Sequence, residues 1–258
     1  MIGRRDPVAV ADRSRPMDGE LPTGPAKTAR VREMFDVIAP RYDLVNRIMT
    51  LGLDQGWRRA TVDALGLAPG SSVLDLACGT GDLGRIAGRR GYGTVGADLS
   101  WGMLAARRPG QPVLQADVLQ LPFGDGVFDG LVCGYALRNF TDLGASLGEA
   151  ARVVRPGGRL AVLEVARPPN RILRLGHRLW FEHAVPLLGR VLSDPAAYRY
   201  LPRSTAYLPD EAGLRRLLHD AGFSTVGRRL LHGGLSQLLT ATRAGLPATA
   251  GAGPGAGS

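Results

Sequence analysis

Residues 73–82, Val73-Leu74-Asp75-Leu76-Ala77-Cys78-Gly79-Thr80-Gly81-Asp82, constrain this chain more than any other stretch, because a short apolar run breaks there into glycines flanked by acids. Residues 73–76 predict a buried strand. Gly79 and Gly81 let the backbone turn tightly and lie bare against a ligand before a helix starts near Asp82. Gly79-Thr80-Gly81-Asp82-Leu83-Gly84 also fits the G-x-G-x-x-G spacing of a dinucleotide cradle, so the loop by itself leaves the ligand open.

The surrounding acids narrow the choice. A pyrophosphate on the positive end of that helix would be repelled by neighbouring carboxylates. Asp75 precedes the loop and Asp82 lies in it, which suits a cationic ligand; the ammonium and sulfonium groups of S-adenosylmethionine (SAM) meet that need. A second strand, over 94–97, ends in Asp98, where a carboxylate can take both hydroxyls of a ribose. A third, over 112–116, is followed by Asp117, placed for an adenine edge. One such acid alone reads equally well as a helix cap or a solvated turn. Three of them after three successive strands resemble the class I SAM-dependent methyltransferases. That resemblance implies an α/β, Rossmann-like fold: a seven-stranded, mostly parallel sheet with an antiparallel last strand, helices on both faces and an N-terminal helical lid.

Length and composition agree with one catalytic domain. The 258 residues are 45% hydrophobic, and no apolar run approaches the length of a membrane span. The arginines near the start are not followed by an apolar core, so no secretory signal is expected, and the predicted location is the cytoplasm, with the inner face of the membrane as a peripheral site. A net charge of +9 favours nucleic acid or anionic lipid as partners. The surplus is nearly all arginine, with Lys27 the only lysine, and a GC-rich genome produces the same bias. Cys78 and Cys133 form neither a disulfide framework nor a zinc pattern, and no metal site is expected; small pocket-lining hydrophobes is the preferred reading over a redox pair.

Residues 1–27 and 244–258 lack apolar periodicity and predict disordered ends around a domain over 28–243. Within it, Val31, Met34, Phe35 and Ile38 predict a helix ended by Pro40. A second carries Tyr42, Val45 and Ile48, and a third runs over about 57–65; together residues 28–66 form the expected lid. A fourth strand, completed over 130–133, leads to Gly134-Tyr135-Ala136-Leu137-Arg138-Asn139. A helix over 143–153 and the turn Arg155-Pro156-Gly157-Gly158 enter a fifth strand, over 160–165. A helical stretch over 172–192 belongs to a substrate-covering insertion over 168–204. A helix over 209–221 and two closing strands, over 225–231 and 235–242, follow.

The segment Phe35-Asp36 through Tyr42-Asp43, Asn46 and Trp57-Arg58 resembles the ubiquinone/menaquinone biosynthesis C-methyltransferases. So do Leu137-Arg138-Asn139 and Tyr198-Arg199-Tyr200-Leu201-Pro202-Arg203-Ser204, over about residues 30–243 in all. The resemblance implies methylation of a polyprenyl hydroquinone on a ring carbon, with demethylmenaquinol the first choice. It places SAM against Tyr42, Arg58, Ala77, Gly79, Thr80, Gly81, Asp98, Leu99, Asp117, Val118 and Gly134. It places Tyr135, Tyr198 and Tyr200 on the substrate, and a homodimer as the assembly. Carbon attacks the methyl only after a ring hydroxyl is deprotonated, so Arg138 and Asn139 are candidates to stabilise the oxyanion. Arginine keeps its proton. His183 is therefore the first candidate base, with His177 and His232 behind it.

The chain departs from the family pattern at Ala77, Asp54, Ala136, Ala166, Gly134 and His232. Gly134 and His232 leave open another small aromatic acceptor; a SAM-binding member of a quinone-synthesis assembly without catalysis is the other alternative, and intact Gly79, Gly81, Asp98, Arg138 and Asn139 argue against it. Nucleic-acid base methylation is disfavoured, because Gly134-Tyr135-Ala136-Leu137 stands where an Asp/Asn-Pro-Pro-aromatic sequence is needed.

Overall fold

The computed structural model describes residues 23–166, 168–179, 200 and 203–245. Seven strands form one sheet: β1 (Ser72–Leu76), β2 (Gly93–Asp98), β3 (Val113–Gln115), β4 (Phe128–Gly134), β5 (Val154–Val165), β6 (Phe223–Leu231) and β7 (Ser236–Arg243), in the order β3-β2-β1-β4-β5-β7-β6. β1 to β5 run parallel, while β7 is antiparallel to both β5 and β6. The chain reverses its direction of growth at β1, with β2 on one side and β4 on the other. The carboxyl ends of these strands therefore open a crevice, the place where open α/β sheets bind ligands.

Side chains alternate across the sheet as strand geometry requires. Leu74, Leu131, Cys133, Leu160 and Val162 pack towards Leu147 of α6 (Leu143–Val153) and Leu214 and Leu218 of α8 (Glu211–Asp220). Val73, Val132, Ala161 and Leu163 pack on the other face with Trp57 and Val62 of α3 (Leu53–Asp63) and Leu83 and Ile86 of α4 (Asp82–Arg89). Burial on both faces explains why β1 and β4 read as unbroken apolar runs. Side-chain caps start the helices where the sequence supplies them: Asp142 accepts from the Ala145 N–H, and Asp210 from the Gly213 N–H.

The segment expected to form a lid consists of α1 (Gly24–Ile38), a 3-10 turn over Ala39–Arg41, α2 (Tyr42–Met49) and α3. α1 starts four residues before the predicted Thr28, with Pro25 tolerated in its first turn, so Lys27 belongs to the helix. α3 likewise starts at Leu53, ahead of the predicted Trp57, and β5 begins at Val154, six residues early, because Val154 pairs with Phe128 before the glycine turn shifts the register. α7 (Arg171–Leu179) covers the start of the predicted insertion; most of the remainder lies outside the described residues.

Asp36 of α1 fastens the lid to the sheet. Its Oδ1 accepts from the Ser100 hydroxyl at 2.6 Å and from the Gly102 N–H at 2.8 Å, at the start of α5 (Trp101–Ala105). A Cβ on Gly102 would stand 2.7 Å from Asp36 Cα, a backbone contact that no side-chain rotation relieves. Gly102→Ala is expected to cost about 1–3 kcal/mol in urea unfolding by forcing α1 and α5 apart.

Candidate active site

The N-terminal helices and the strand ends flank a cleft of about 970 Å³, counting the part open to solvent. Its floor is the β1 loop. Gly79 and Gly81 adopt φ of 54° and 81°, conformations open to glycine, and Ala77 takes φ 51° despite its Cβ. Ala77, Gly79 and Thr80 line the cleft, whereas Gly81 lies behind it as the turn residue that starts α4. A Cβ on Gly79 would meet only the mobile end of Met103, Cε at 3.0 Å, so it is the backbone conformation that favours glycine here.

Asp98 stands at the end of β2, beside this loop. Its Oδ2 accepts from the Gly79 N–H and its Oδ1 from the Ser100 N–H, both at 2.8 Å, so the carboxylate holds the loop while each oxygen keeps a lone pair for a ligand hydroxyl. Burial raises its pKa above the ordinary carboxylate range. Leu99, Met103 and Val118 supply apolar walls, and Asp117 also lines the cleft, its Oδ1 accepting from the Leu119 N–H at 2.9 Å. These surroundings fit a nucleoside: a diol acceptor, an apolar slot and a polar edge.

The two acids that argued for a cationic ligand part company. Asp75 is fully buried behind the loop, where its Oδ2 accepts from the Gly84 N–H and from Gln111, and burial pushes its pKa up to about 6. It supports the loop and does not face the cleft. Asp82 does line the cleft, but it pairs with Arg85 and lies 3.5 Å from Arg58, which also reaches Asp54 at 3.4 Å. Arg58 is itself a lining residue, 7% exposed, and stands 5.7 Å from the centre of the Tyr135 ring. This end of the cleft therefore holds one cation and one facing carboxylate, the complement of an amino acid's carboxylate and ammonium.

Tyr42 lines the cleft from the lid, and burial raises its hydroxyl pKa. Its neighbour Asp43 accepts from the Thr80 hydroxyl at 2.6 Å, which ties α2 to the glycine loop. Asp36 and Asp43 were not predicted as site residues. The Phe-Asp and Tyr-Asp pairs that carried the resemblance were the available signal, since each acid anchors a lid helix to a cofactor loop.

At the end of β4 the chain makes a 3-10 turn over Leu137–Asn139. Gly134 lines the cleft, and a Cβ there would meet Leu83 Cδ1 at 2.9 Å. Tyr135 also lines the cleft and takes φ 58°, a strained conformation for a residue with a Cβ, and its hydroxyl is 2.9 Å from Ser236 Oγ. Asn139 faces the cleft. The Tyr200 hydroxyl donates to its Oδ1 at 3.2 Å, and its NH₂ makes no hydrogen bond among the described residues. Tyr200, expected on the substrate, is 2% exposed, reaches Asn139 and is not among the lining residues of the cleft.

Arg138 sits behind this edge, 6% exposed, and is not a lining residue of the cleft. It forms an ion pair with Glu164 through Nη1 and donates from Nε to Ser204 Oγ at 3.2 Å. Its Nη2 makes no hydrogen bond among the described residues. Glu164 is fully buried; its Oε1 also accepts from the Val165 N–H, while Oε2 has no partner. Sequence reasoning did not assign Glu164 to this centre; its nearest signal was the departure from the family pattern at Ala166, two residues on.

The candidate bases fare differently. His183 and Tyr198 lie outside the described residues, as does the side chain of His177. His232 accepts from Trp57 Nε1 at its Nδ1, 2.6 Å away. Indole only donates, so a neutral His232 carries its proton on Nε2 and offers no free lone pair; this removes it from the list of bases. Cys78 and Cys133 are buried free thiols whose pKa values burial raises; Cys78 lines the cleft as expected, whereas Cys133 is packed in the sheet core facing α6 and does not reach it. No cluster suited to a metal ion occurs among the described residues.

Comparison with known proteins adds the family to this geometry. The chain matches the model of the ubiE/COQ5 methyltransferase family over residues 24–243. A demethylmenaquinone methyltransferase of Beutenbergia cavernae is 44% identical over 212 residues, covering 81% of this chain and 88% of that protein. One from Mycolicibacterium vanbaalenii is 45% identical over 217 residues, covering 83% and 95%. Among solved structures, a SAM-dependent methyltransferase from Thermotoga maritima superposes with a TM-score of 0.58 at 21% identity, over 83% of this chain and 99% of its own, which speaks for the fold. With a match across the whole described domain, the chain belongs to the ubiE/COQ5 methyltransferase family.

Proposed function

We propose that this protein methylates a ring carbon of demethylmenaquinol, using SAM, to give menaquinol. The observation that carries the reading is the turn at the end of β4, which sets a free amide donor, Asn139, at the wall of a nucleoside-shaped cleft and Arg138 directly behind it. The names of the relatives supply the acceptor.

The residues present fit SAM. Asp98 would take the ribose hydroxyls, Leu99, Met103 and Val118 the adenine, and Arg58 and Asp82 the charged ends of the methionine part. Bound SAM supplies an electrophilic methyl group on a sulfonium. The chain supplies the rest. Asn139 Nδ2 donates to the oxygen of the acceptor as its proton leaves, and Arg138 stabilises the resulting phenolate through its charge and its free Nη2. Tyr200 orients the Asn139 amide, and Glu164 with Ser204 fixes the plane of the guanidinium. The lid, anchored through Asp36 and Asp43, excludes water from the reacting atoms. His183 is the proposed proton acceptor.

The test is turnover with a panel of acceptors under reducing conditions. Menaquinol formation from demethylmenaquinol, with simple phenols and catechols at least a hundredfold slower, supports the proposal. SAM binding with a preferred non-quinone acceptor, or with no acceptor, replaces it.

The long prenyl tail calls for a membrane-side opening. No helix among the described residues is long and apolar enough to cross a bilayer. Val37 and Leu44 on the lid and Trp101 on α5 are exposed, at 58%, 54% and 62%, and the chain carries a charge of +9. We propose a peripheral contact with anionic lipid made through these exposed side chains and the basic surplus, with the protein otherwise cytoplasmic. Flotation with anionic vesicles at low salt tests it, and Trp101→Ser is expected to weaken it. A homodimer is the assembly carried forward, to be read by sedimentation.

A further inference from the structure

Lys27, the only lysine in the chain, is 4% exposed in the first turn of α1. Its Nζ donates to the Phe140 carbonyl at 2.7 Å and stands 3.7 Å from the centre of the Tyr207 ring. Phe140 is the residue that closes the Leu137–Asn139 turn, its N–H donating to Leu137 O at 3.2 Å. Next to this contact, Thr28 and Thr141 hydrogen-bond through their hydroxyls, so α1 grips both residues that follow the turn. Tyr207 lies in the 3-10 turn Thr205–Tyr207, directly after Ser204, the partner of Arg138.

Stability alone does not favour a lysine here. Its charge is buried at the positive end of a helix, and no carboxylate among the described residues forms an ion pair with it. The groups that face it are the Phe140 carbonyl and the Tyr207 ring, and Arg203 lies near that phenol. An apolar side chain would fill the space without desolvating a charge. What only a cationic donor provides is a directed hold on the Phe140 carbonyl and on the face of an aromatic ring at once.

We propose that Lys27 is a positioning residue for the catalytic turn: held between Phe140 and Tyr207, it fixes Arg138 and Asn139 in register with the lid. The inference rests on the reading of that turn as the catalytic edge. Burial lowers the Lys27 amine from 10.5 to about 8. Between pH 8 and 10.5 the unfolded chain therefore binds the additional proton, and stability is expected to rise with pH across that window. Over the same range the deprotonated amine loses its attraction to the Tyr207 ring, so kcat is expected to decline.

Three variants and one spectrum test this. Lys27→Met is expected to keep or raise the Tm, to lose the gain in stability between pH 8 and 10.5, and to lower kcat about tenfold while the SAM Kd stays within about twofold. Lys27→Arg, charged throughout, is expected to restore most of kcat and to remove its decline above pH 8. Protein labelled at lysine Cε gives one chain resonance, expected to titrate near pH 8. In the Lys27→Met protein the amides of Asn139 and Phe140 are expected to exchange with solvent at least tenfold faster, with the sheet unchanged. That exchange needs no acceptor, so it scores the inference even if the wild type fails to turn over the quinol. Unchanged exchange, a kcat within twofold of wild type, or a loss of Tm and activity that arginine does not restore would overturn it.

Discussion

Arg138→Ala is expected to lower kcat by about 10²–10³, the usual cost of removing a preorganised group that stabilises an oxyanion. It is also expected to destabilise the fold by about 3–5 kcal/mol, because Glu164 is fully buried and would lose the one cationic partner it has among the described residues. The two effects separate in the double variant Arg138→Ala/Glu164→Ala, which removes the stranded carboxylate. Stability should return to within about 1–2 kcal/mol of wild type in urea unfolding, with activity still lost. If activity returns together with stability, Arg138 serves the fold and the oxyanion role is wrong. If Glu164→Gln alone leaves kcat intact, the carboxylate does not orient the guanidinium.

Asp98→Ala is the second large effect, and it should appear in binding. Two charge-assisted hydrogen bonds to a ribose are worth roughly 3–5 kcal/mol together, so the SAM Kd is expected to rise about 10²–10³-fold by calorimetry. The Gly79 N–H also loses its acceptor, which adds a modest loss of stability. At saturating SAM, kcat should fall far less than it does in the Arg138 variant, because the role proposed for Asp98 is to bind the cofactor's ribose and not the acceptor. Asp98→Asn, with one acceptor oxygen in place of two, is expected to fall between. Since burial raises the Asp98 pKa, SAM binding should weaken as pH falls towards it from above. Calorimetry that shows wild-type affinity in Asp98→Ala would remove this residue from the cofactor site.

These predictions depend on residues that differed in how readable they were. The glycine loop, Asp98 and Asp117 were legible because the β1, β2 and β3 strand ends each carry a contiguous signature, and the fold brings those ends together by default. The helix over residues 143–153 was legible because Asp142 caps it and apolar residues mark one face. Tertiary hydrogen bonds were not. Asp36 reaches Ser100 across 64 positions, Tyr200 reaches Asn139 across 61, and Lys27 reaches Phe140 across 113. No local period encodes such a pair. Trp57 and His232, 175 positions apart, show the consequence, since a histidine that stood as a candidate base turns out to be an acceptor for an indole. Asp75 shows another: position in the chain placed it beside the loop, and only packing decides that it faces Gln111 and away from the cleft.

The reaction requires a phenolate, and that is the claim to test most directly. The measurement is methyl transfer from labelled SAM to demethylmenaquinone, chemically reduced in one arm and oxidised in the other, with the Arg138→Ala/Glu164→Ala protein alongside. The expected result is labelled menaquinol from the reduced acceptor alone, nearly abolished in the double variant although SAM still binds. Equal transfer to the oxidised quinone, or no transfer to either with SAM bound, would contradict the account.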